Sequence, residues 1–419
     1  MNERAVAVRA LKRVFDHKVD PERTFDENTP SSVKDTVYGV LRHFYSLTHT
    51  LNSRLDKPLR RQNRDLFTLL LVGAYQLTYH QTPSYAVINE CVNATNGLRK
   101  PWARGLINQV LRNLEEATPE TPEQSFDHSS WLIEKIRAQY PESWENILNE
   151  NNQRAPMTLR INLQKTSRSA FIDNLQKENI LCKKGFYPET LHLDKAVKVE
   201  SLPGYLTGLC SVQDQGAQAA AGLLQSHLED RLLDACSAPG GKSLHLLEKG
   251  ATQLLSLDIH PERLAYLDKE AGRLNLSHLK TRVADATTDG WWDGNPFDGI
   301  LLDAPCSGTG TMRRHPDIKV LKQEATLEHL FQLQLALLTN LWRMLSPGGT
   351  LVFSTCSILS DENDQVIQAF LSQTNNASVQ IPDLPEGKAC HHGRQILPTE
   401  NGSDGFYYSL LYKSKAHKN

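Results

Sequence analysis

The feature that most constrains this chain is a rhythm that begins near Leu232. "RLLDAC" (231–236), "LLSLDI" (254–259), "TRVADA" (281–286), "DGILLDAPC" (298–306) and "GTLVFSTCS" (349–357) are short apolar runs of strand length, and helical stretches separate most of them. Strands that alternate with helices build a parallel, doubly wound α/β sheet. Ligands of such sheets bind beyond the carboxyl ends of the strands. The first four runs end at or near an acid, namely Asp234, Asp258, Asp285 and Asp303. The first is followed by "ACSAPGGKS" (235–243), a turn opening a helix, in which Gly240 and Gly241 allow a ligand close to the backbone. Asp258 is placed for a ribose hydroxyl pair and Asp285 for an adenine edge.

Three cofactors compete for that turn. A dinucleotide wants G-x-G-x-x-G, which is absent. A phosphate-binding loop is suggested by "GGKS", but its pattern demands glycine where Cys236 stands. S-adenosylmethionine needs no phosphate cradle, only a close turn, a ribose acid and an adenine contact, and it fits best.

The last two runs each stop at a cysteine flanked by small residues, Cys306 and Cys356. Seven cysteines without framework spacing fit a reducing compartment, and the cytoplasm is expected. Cys91, Cys182 and Cys210 read as small core residues. There is no C-x-x-C, and "CHH" (390–392) lacks chelating spacing, so no metal is expected. No apolar run reaches the roughly eighteen residues of a membrane span. The opening "MNERAVAVRALKRVFD" is an amphipathic helix pattern, not a signal peptide.

Ahead of the sheet the texture differs. "RAVAVRALKRVF", "DLFTLLLVGAYQLTYH", "YAVINECVNATNGL" and "ARGLINQVLRNLEEA" carry helical spacing; "EEATPETPEQSFD" (115–127) reads as a surface loop, and a further helix spans roughly 129–139. "MTLRIN" and "TLHLDKAVKV" have strand character around a helical "SAFIDNLQKENI", which predicts a small α+β connector. The expected domains are 1–140, 141–225 and 226–419. Residues 1–114 hold 17 Lys+Arg against 10 Asp+Glu, so the net charge of −2 divides into +7 and −9. "RLDKPLRRQNR" (54–64) and "LRKPWARGLINQVLRN" (98–113) concentrate the positive charge, as in a polyanion-binding module on an enzyme.

"DACSAPGGK", "LDIHPERL", "LLDAPCSGTGTMRRHPDIK", "LSPGGTLVFSTCSILSDEN" and "DGFYYSLLYK" resemble the RNA cytosine-5 methyltransferases of the NOL1/NOP2/Sun family. "LLLVGAYQLTYHQTPSYAVINECVNATNGLRK" followed by "GLINQVLRNL" resembles the NusB-type RNA-binding domain fused to one bacterial branch, which methylates small-subunit ribosomal RNA. The resemblance covers nearly the whole chain. It implies a Rossmann-like class I methyltransferase domain with a mostly parallel sheet, preceded by an all-α NusB-like domain and the connector. The implied partner is 16S ribosomal RNA, free or in early assembly, met by a monomer away from any membrane.

The resemblance also implies roles. Cytosine C5 is a poor nucleophile until a thiolate adds to C6. The "TCS" cysteine, Cys356, is the implied nucleophile, the "PCS" cysteine, Cys306, assists release, and Asp303 lies between cofactor and base. The implied cofactor residues are Cys236, Ser237, Ala238, Pro239, Gly240, Gly241, Lys242, Asp258, Asp285 and Asp303. A helix expected near Ser360 would favour a thiolate at Cys356, while Asp361 and Glu362 would oppose it. Arg60, Arg61, Arg64, Arg99 and Arg104, with Arg313 and Arg314 of the basic loop "RRHPDIK", are the expected RNA contacts. Val320 stands where the family usually has tryptophan. Two rival readings are an RNA-binding regulator with a retired methyltransferase fold, and a DNA cytosine methyltransferase, in which the "PC" cysteine attacks.

Overall fold

A computed structural model describes residues 2–400 and 402–415. The chain divides into two compact units: Met1–Arg154 with Met312–Glu324, and Ala155–Thr311 with Ala325–Asn419.

The first unit is helical. Its elements are α1 (Glu3–His17), α2 (Ser31–Arg42), α3 (Phe44–Asn52), α4 (Arg64–Tyr79), α5 (Ser84–Gly97), α6 (Arg104–Arg112), α7 (Pro122–Phe126), α8 (Ser130–Gln139) and α9 (Trp144–Asn151). Helix α1 starts where the Asn2 side chain accepts from the backbone N–H of Arg4 and Ala5, which satisfies two otherwise orphaned donors. Its Leu11 and Val14 join the core around α4, whose residues Leu66–Gln76 are almost all buried. The apolar pattern of α6 runs on to about residue 117, but the helix stops at Arg112. The expected loop 115–127 contains α7, nucleated by a reciprocal Thr121–Gln124 capping box.

The segment 312–324 belongs to this helical unit and is not a free loop. Lys319 is fully buried; its Nζ donates to the Arg42 carbonyl (2.6 Å) and to Asn152 Oδ1 (2.5 Å). Arg42 returns a hydrogen bond to the Arg313 carbonyl (2.8 Å), and Val320 and Leu321 pack on the helical core. Val320 is therefore a packing residue. Burial lowers the Lys319 ammonium to about 7.

The second unit begins with β1 (Met157–Ile161), α10 (Arg168–Lys177), β2 (Cys182–Lys184), β3 (Thr190–Leu193) and β4 (Cys210–Val212). They form an antiparallel sheet in the order β2-β3-β1-β4, backed by Phe171 and Leu175 of α10. The strand expected over 190–199 ends at Leu193, and a 3-10 turn follows at Val199–Ser201. Helix α11 (Gln215–Leu223) leads into the larger sheet, made of β5 (Arg231–Asp234), β6 (Gln253–Asp258), β7 (Leu279–Val283), β8 (Phe297–Asp303), β9 (Leu345–Thr355), β10 (Ala377–Gln380), β11 (Lys388–Ala389), β12 (Arg394–Ile396) and β13 (Phe406–Lys413).

Its order is β11-β12-β13-β9-β8-β5-β6-β7, with β10 on β13. Strands β9, β8, β5, β6 and β7 are parallel, and the strands beyond β9 are antiparallel. Side-chain alternation buries both faces, as a parallel sheet requires. Leu232, Leu301 and Val352 face α11 and α12 (Gly241–Glu248), while Leu233, Ile300, Leu302 and Phe353 face the helices Thr326–Met344 and Asp364–Gln373. The chain runs from β5 outward through α12, β6, α13 (Pro261–Leu274) and β7, then returns to place β8 on the other side of β5. That reversal opens a crevice at the carboxyl ends of β5 and β8.

Candidate active site

Asp234 and Asp303 are the last residues of β5 and β8, so the topology brings both to that crevice; Asp258 ends β6, and Asp285 lies just past β7. All four carboxylates act on Cys236, whose thiol is pushed well up by burial and by the charges of Asp234, Asp303, Asp258 and Asp285. Asp258 is held by two backbone donors, Ala238 N–H on Oδ2 (3.1 Å) and His260 N–H on Oδ1 (2.9 Å). The turn 236–242 is thus fastened to the second strand as well as the first. Ser237 does the same work, since its Oγ and its N–H both donate to the Leu257 carbonyl.

Gly240 has φ +108°, and a Cβ there would collide with Leu267 of α13, so only glycine suits the start of α12. Lys242 Nζ pairs with Asp303 Oδ2 at 2.6 Å and lies 5.2 Å from the centre of the Phe406 ring. Asp303 Oδ1 accepts from Ser354 Oγ at 2.9 Å. Asp234 is fully buried; Ser243 Oγ donates to Oδ2 (2.6 Å), while Oδ1 has no partner among the described residues. Burial raises this carboxyl to about 7. Asp285 is exposed, with Oδ1 accepting from Thr287.

Adjacent strands carry the two cysteines. Asp303 on β8 is in register with Ser354 on β9, so Cys306 and Cys356 leave the sheet side by side. Their sulfurs are 3.4 Å apart. The loops are sewn together: Gly310 N–H donates to the Cys356 carbonyl (2.9 Å), and Gly405 N–H to the Gly310 carbonyl (2.8 Å). A Cβ on Gly310 would strike the Gly405 carbonyl. The Cys306 thiol is pushed well above its ordinary value, first by its hydrogen bond to Cys356, then by burial and by the charges of Cys356 and Glu362.

Glu362, expected to oppose a thiolate, has a second job. It is completely buried and accepts from Ser307 N–H (2.7 Å), Ser307 Oγ, Ser357 Oγ (2.6 Å) and Gln334 Nε2 (3.3 Å). One carboxylate therefore holds the residue after each cysteine. The helix expected near Ser360 is a single 3-10 turn, Ser360–Glu362, and the α-helix begins only at Asp364. Cys356 therefore lies too far from the α-helix for its N-terminus to favour a thiolate, because a helix dipole acts only within about a turn of its end.

Arg160 escaped the sequence reading. It sits on β1, is 1% exposed, and binds both oxygens of Glu248 in α12 (2.7 and 2.8 Å), Gln213 Oε1 (2.6 Å) and the Gly241 carbonyl (2.7 Å). The small sheet thereby fixes the glycine turn. Only an apolar strand with one arginine hinted at this, and burial of that arginine cannot be read from spacing.

Of the expected RNA contacts, Arg60, Arg61, Arg64, Arg99 and Arg104 are exposed. Arg313 is not: it is 1% exposed, and its carbonyl accepts from Arg42. Arg314 is half-buried. Within "RRHPDIK", Arg313 and Lys319 are buried in the helical unit, which corrects the reading of Arg313 as a phosphate contact.

Comparison with known proteins agrees with this architecture. Residues 221–412 match the model of the 16S rRNA methyltransferase RsmB/F, residues 128–200 that of the ferredoxin-like domain of RsmF/B-like methyltransferases, and residues 1–116 that of the NusB family. The chain is 40% identical, over 99% of its length and all of the relative's, to the probable ribosomal RNA small subunit methyltransferase B of Coxiella burnetii. It is 39% identical, over the full length of both chains, to ribosomal RNA small subunit methyltransferase B of Pseudomonas putida. A solved methyltransferase homolog protein from Pyrococcus horikoshii shares the fold, with a TM-score of 0.62 and 24% identity over 70% of this chain and 97% of that one. With a doubly wound sheet, paired strand-end cysteines, a glycine turn and a NusB-type front end in one chain, this protein belongs to the RsmB/F family of 16S rRNA methyltransferases.

Proposed function

We propose that this protein transfers a methyl group from S-adenosylmethionine to C5 of a cytosine in 16S ribosomal RNA, through a transient bond between Cys356 and C6. The observation that carries the reading is the 3.4 Å contact between Cys306 and Cys356 beside Asp303. The cofactor's fit rests on the buried Asp234 Oδ1 without a partner among the described residues, the glycine-only turn at Gly240, and the carboxylates of Asp234, Asp258, Asp285 and Asp303 at the carboxyl ends of neighbouring strands, which suit a cationic ligand. Asp258 and Asp285 would take the ribose hydroxyls and adenine edge, and residues 236–242 with Asp303 the remainder. When bound, the cofactor supplies an electrophilic methyl group on a sulfonium.

The chain's own residues do the rest. Cys356 as thiolate forms the S–C6 bond, which breaks the C5–C6 double bond and places an electron pair on C5 for the incoming methyl. The Asp303 carboxylate, fixed by Lys242 and Ser354, is positioned to hold the cytosine. Release needs a base for the C5 proton. At rest the Cys306 thiol shares a hydrogen bond with Cys356, and that contact, with burial, favours its protonated form. Once Cys356 is bonded to carbon it no longer offers Cys306 a thiolate partner, so Cys306 gives its own proton to solvent water and, as the thiolate, takes the proton from C5. The C5–H electron pair then restores the ring double bond and expels the Cys356 thiolate.

The test separates the two thiols. Cys306→Ala attacks and methylates but stalls, giving a slow band on a denaturing gel that ribonuclease removes. Cys356→Ala binds RNA and forms no such band. A trap in Cys356→Ala and none in Cys306→Ala would reverse the assignment and support the DNA-enzyme arrangement.

A further inference from the structure

Two basic stretches far apart in sequence, 60–64 and 99–104, meet on the helical unit. Lys100 joins them: its Nζ donates to the Gln62 carbonyl (2.8 Å), Asn63 Oδ1 (3.1 Å) and Asp65 Oδ1 (2.6 Å). The lysine is consumed internally, and the arginines around it are left for solvent. Arg60, Arg61, Arg64, Arg99 and Arg104 are all exposed. None of the five has a side-chain hydrogen bond or ion pair among the described residues, whereas nearby Arg54 pairs with Glu115 and Arg112 bonds Asn108. Among these cations stands Trp102, 64% exposed, whose indole has no aromatic, cation–π or hydrogen-bond partner among the described residues. Three residues further on, exposed Gly105 leaves the surface open, since a Cβ there would meet nothing within 4 Å.

A large indole in water gains nothing for folding here, and five unpaired guanidinium groups repel one another. Their common use is a strand of nucleic acid: phosphates neutralise the arginines, and an unstacked base covers the indole. A duplex offers the phosphates but hides its base faces. We infer that Trp102 is the stacking residue of a single-stranded-RNA face, the arginines gripping the backbone on either side; this rests on the RNA reading given above. Lys100 is a positioning residue that holds the two basic stretches together.

The test uses the full chain and two probes, a short single-stranded RNA of mixed sequence and the same sequence annealed as a duplex, titrated over a series of salt concentrations. Trp102→Ala should weaken single-strand binding about 5- to 100-fold with an unchanged salt slope, and leave duplex binding as it was. Trp102→Phe should recover most of the loss. A variant with all five arginines changed to alanine should lose affinity for both probes and flatten the slope. Unchanged single-strand binding by Trp102→Ala, or an equal loss on the duplex, overturns the stacking role. If the five-arginine variant also binds with the original slope, the RNA reading of this unit falls as well, so the two failures are distinguishable.

Discussion

Glu362 illustrates how a residue's chemistry depends on what its oxygens touch. Read as a bare charge six residues past Cys356, it disfavours a thiolate. In the fold that charge remains one of the smaller influences on Cys306, behind the Cys356 hydrogen bond and burial. Its larger effect is geometric, because both cysteine loops end on it. Glu362→Ala would strand the Ser307 N–H in a dry site and leave the Gln334 amide with only the Pro305 carbonyl (2.8 Å) as acceptor. We expect a loss of about 2–4 kcal/mol, seen as an earlier urea midpoint, and less RNA trapped when the change is combined with Cys306→Ala. Glu362→Gln keeps the shape but turns one acceptor into a donor facing donors, so it should recover only part of the stability.

At the scale of elements, helix α5 ends in a way its sequence does not advertise. Lys100 N–H bonds back to the Thr95 carbonyl (2.8 Å), and Arg99 between them takes φ +58°. A helix terminator of this kind ordinarily uses glycine, and a side chain there costs about 1 kcal/mol or more. Gly97, two residues earlier, is spent inside the helix instead. Arg99→Gly should therefore raise the melting stability by up to about 1 kcal/mol while weakening RNA binding and reducing the salt slope by roughly 0.7. A variant that gains stability without losing affinity would show that Arg99 makes no phosphate contact.

For the molecule as a whole, charge and protonation are divided between the units. The positive balance lies in residues 1–114, and the second unit hides ionisable groups where its small sheet meets α12. Glu189 accepts from His245 Nε2 (2.9 Å) and Lys249 Nζ (2.8 Å). Burial works against the Glu189 carboxylate, but these two partners outweigh it and hold it down at about 2. Burial lowers His245 to about 4. Between its free value of about 6.5 and about 4, the unfolded chain takes up a proton at His245 that the folded chain refuses, so stability falls as pH drops through that window. The Glu189 contribution is lost in turn as pH falls below about 4.5 toward about 2. The His245 share amounts to at most about 3 kcal/mol. Melting temperatures followed from pH 7 to pH 4 should fall steadily in the parent, and His245→Gln should flatten the curve; an unchanged slope would remove His245 as the source.

What the sequence determined by itself were the patterns whose cause is local. Strand runs ending in Asp234, Asp258 and Asp303 place those acids at strand ends whatever else the chain does, because alternation and strand length are properties of a few neighbouring residues. The glycine turn, the strand-end cysteines and the basic stretches were legible for the same reason. Tertiary structure decided which strands are neighbours, and so that Cys306 and Cys356, fifty residues apart, touch through β8 and β9. It decided that Arg160 and Glu362 are buried connectors, and that the basic-looking segment carrying Arg313 and Lys319 is packing for the helical unit. Nothing in an isolated arginine, lysine or glutamate distinguishes a solvated charge from a buried one. The difference lies in the partners that folding brings from distant parts of the chain, and only these offset the cost of taking a charge out of water.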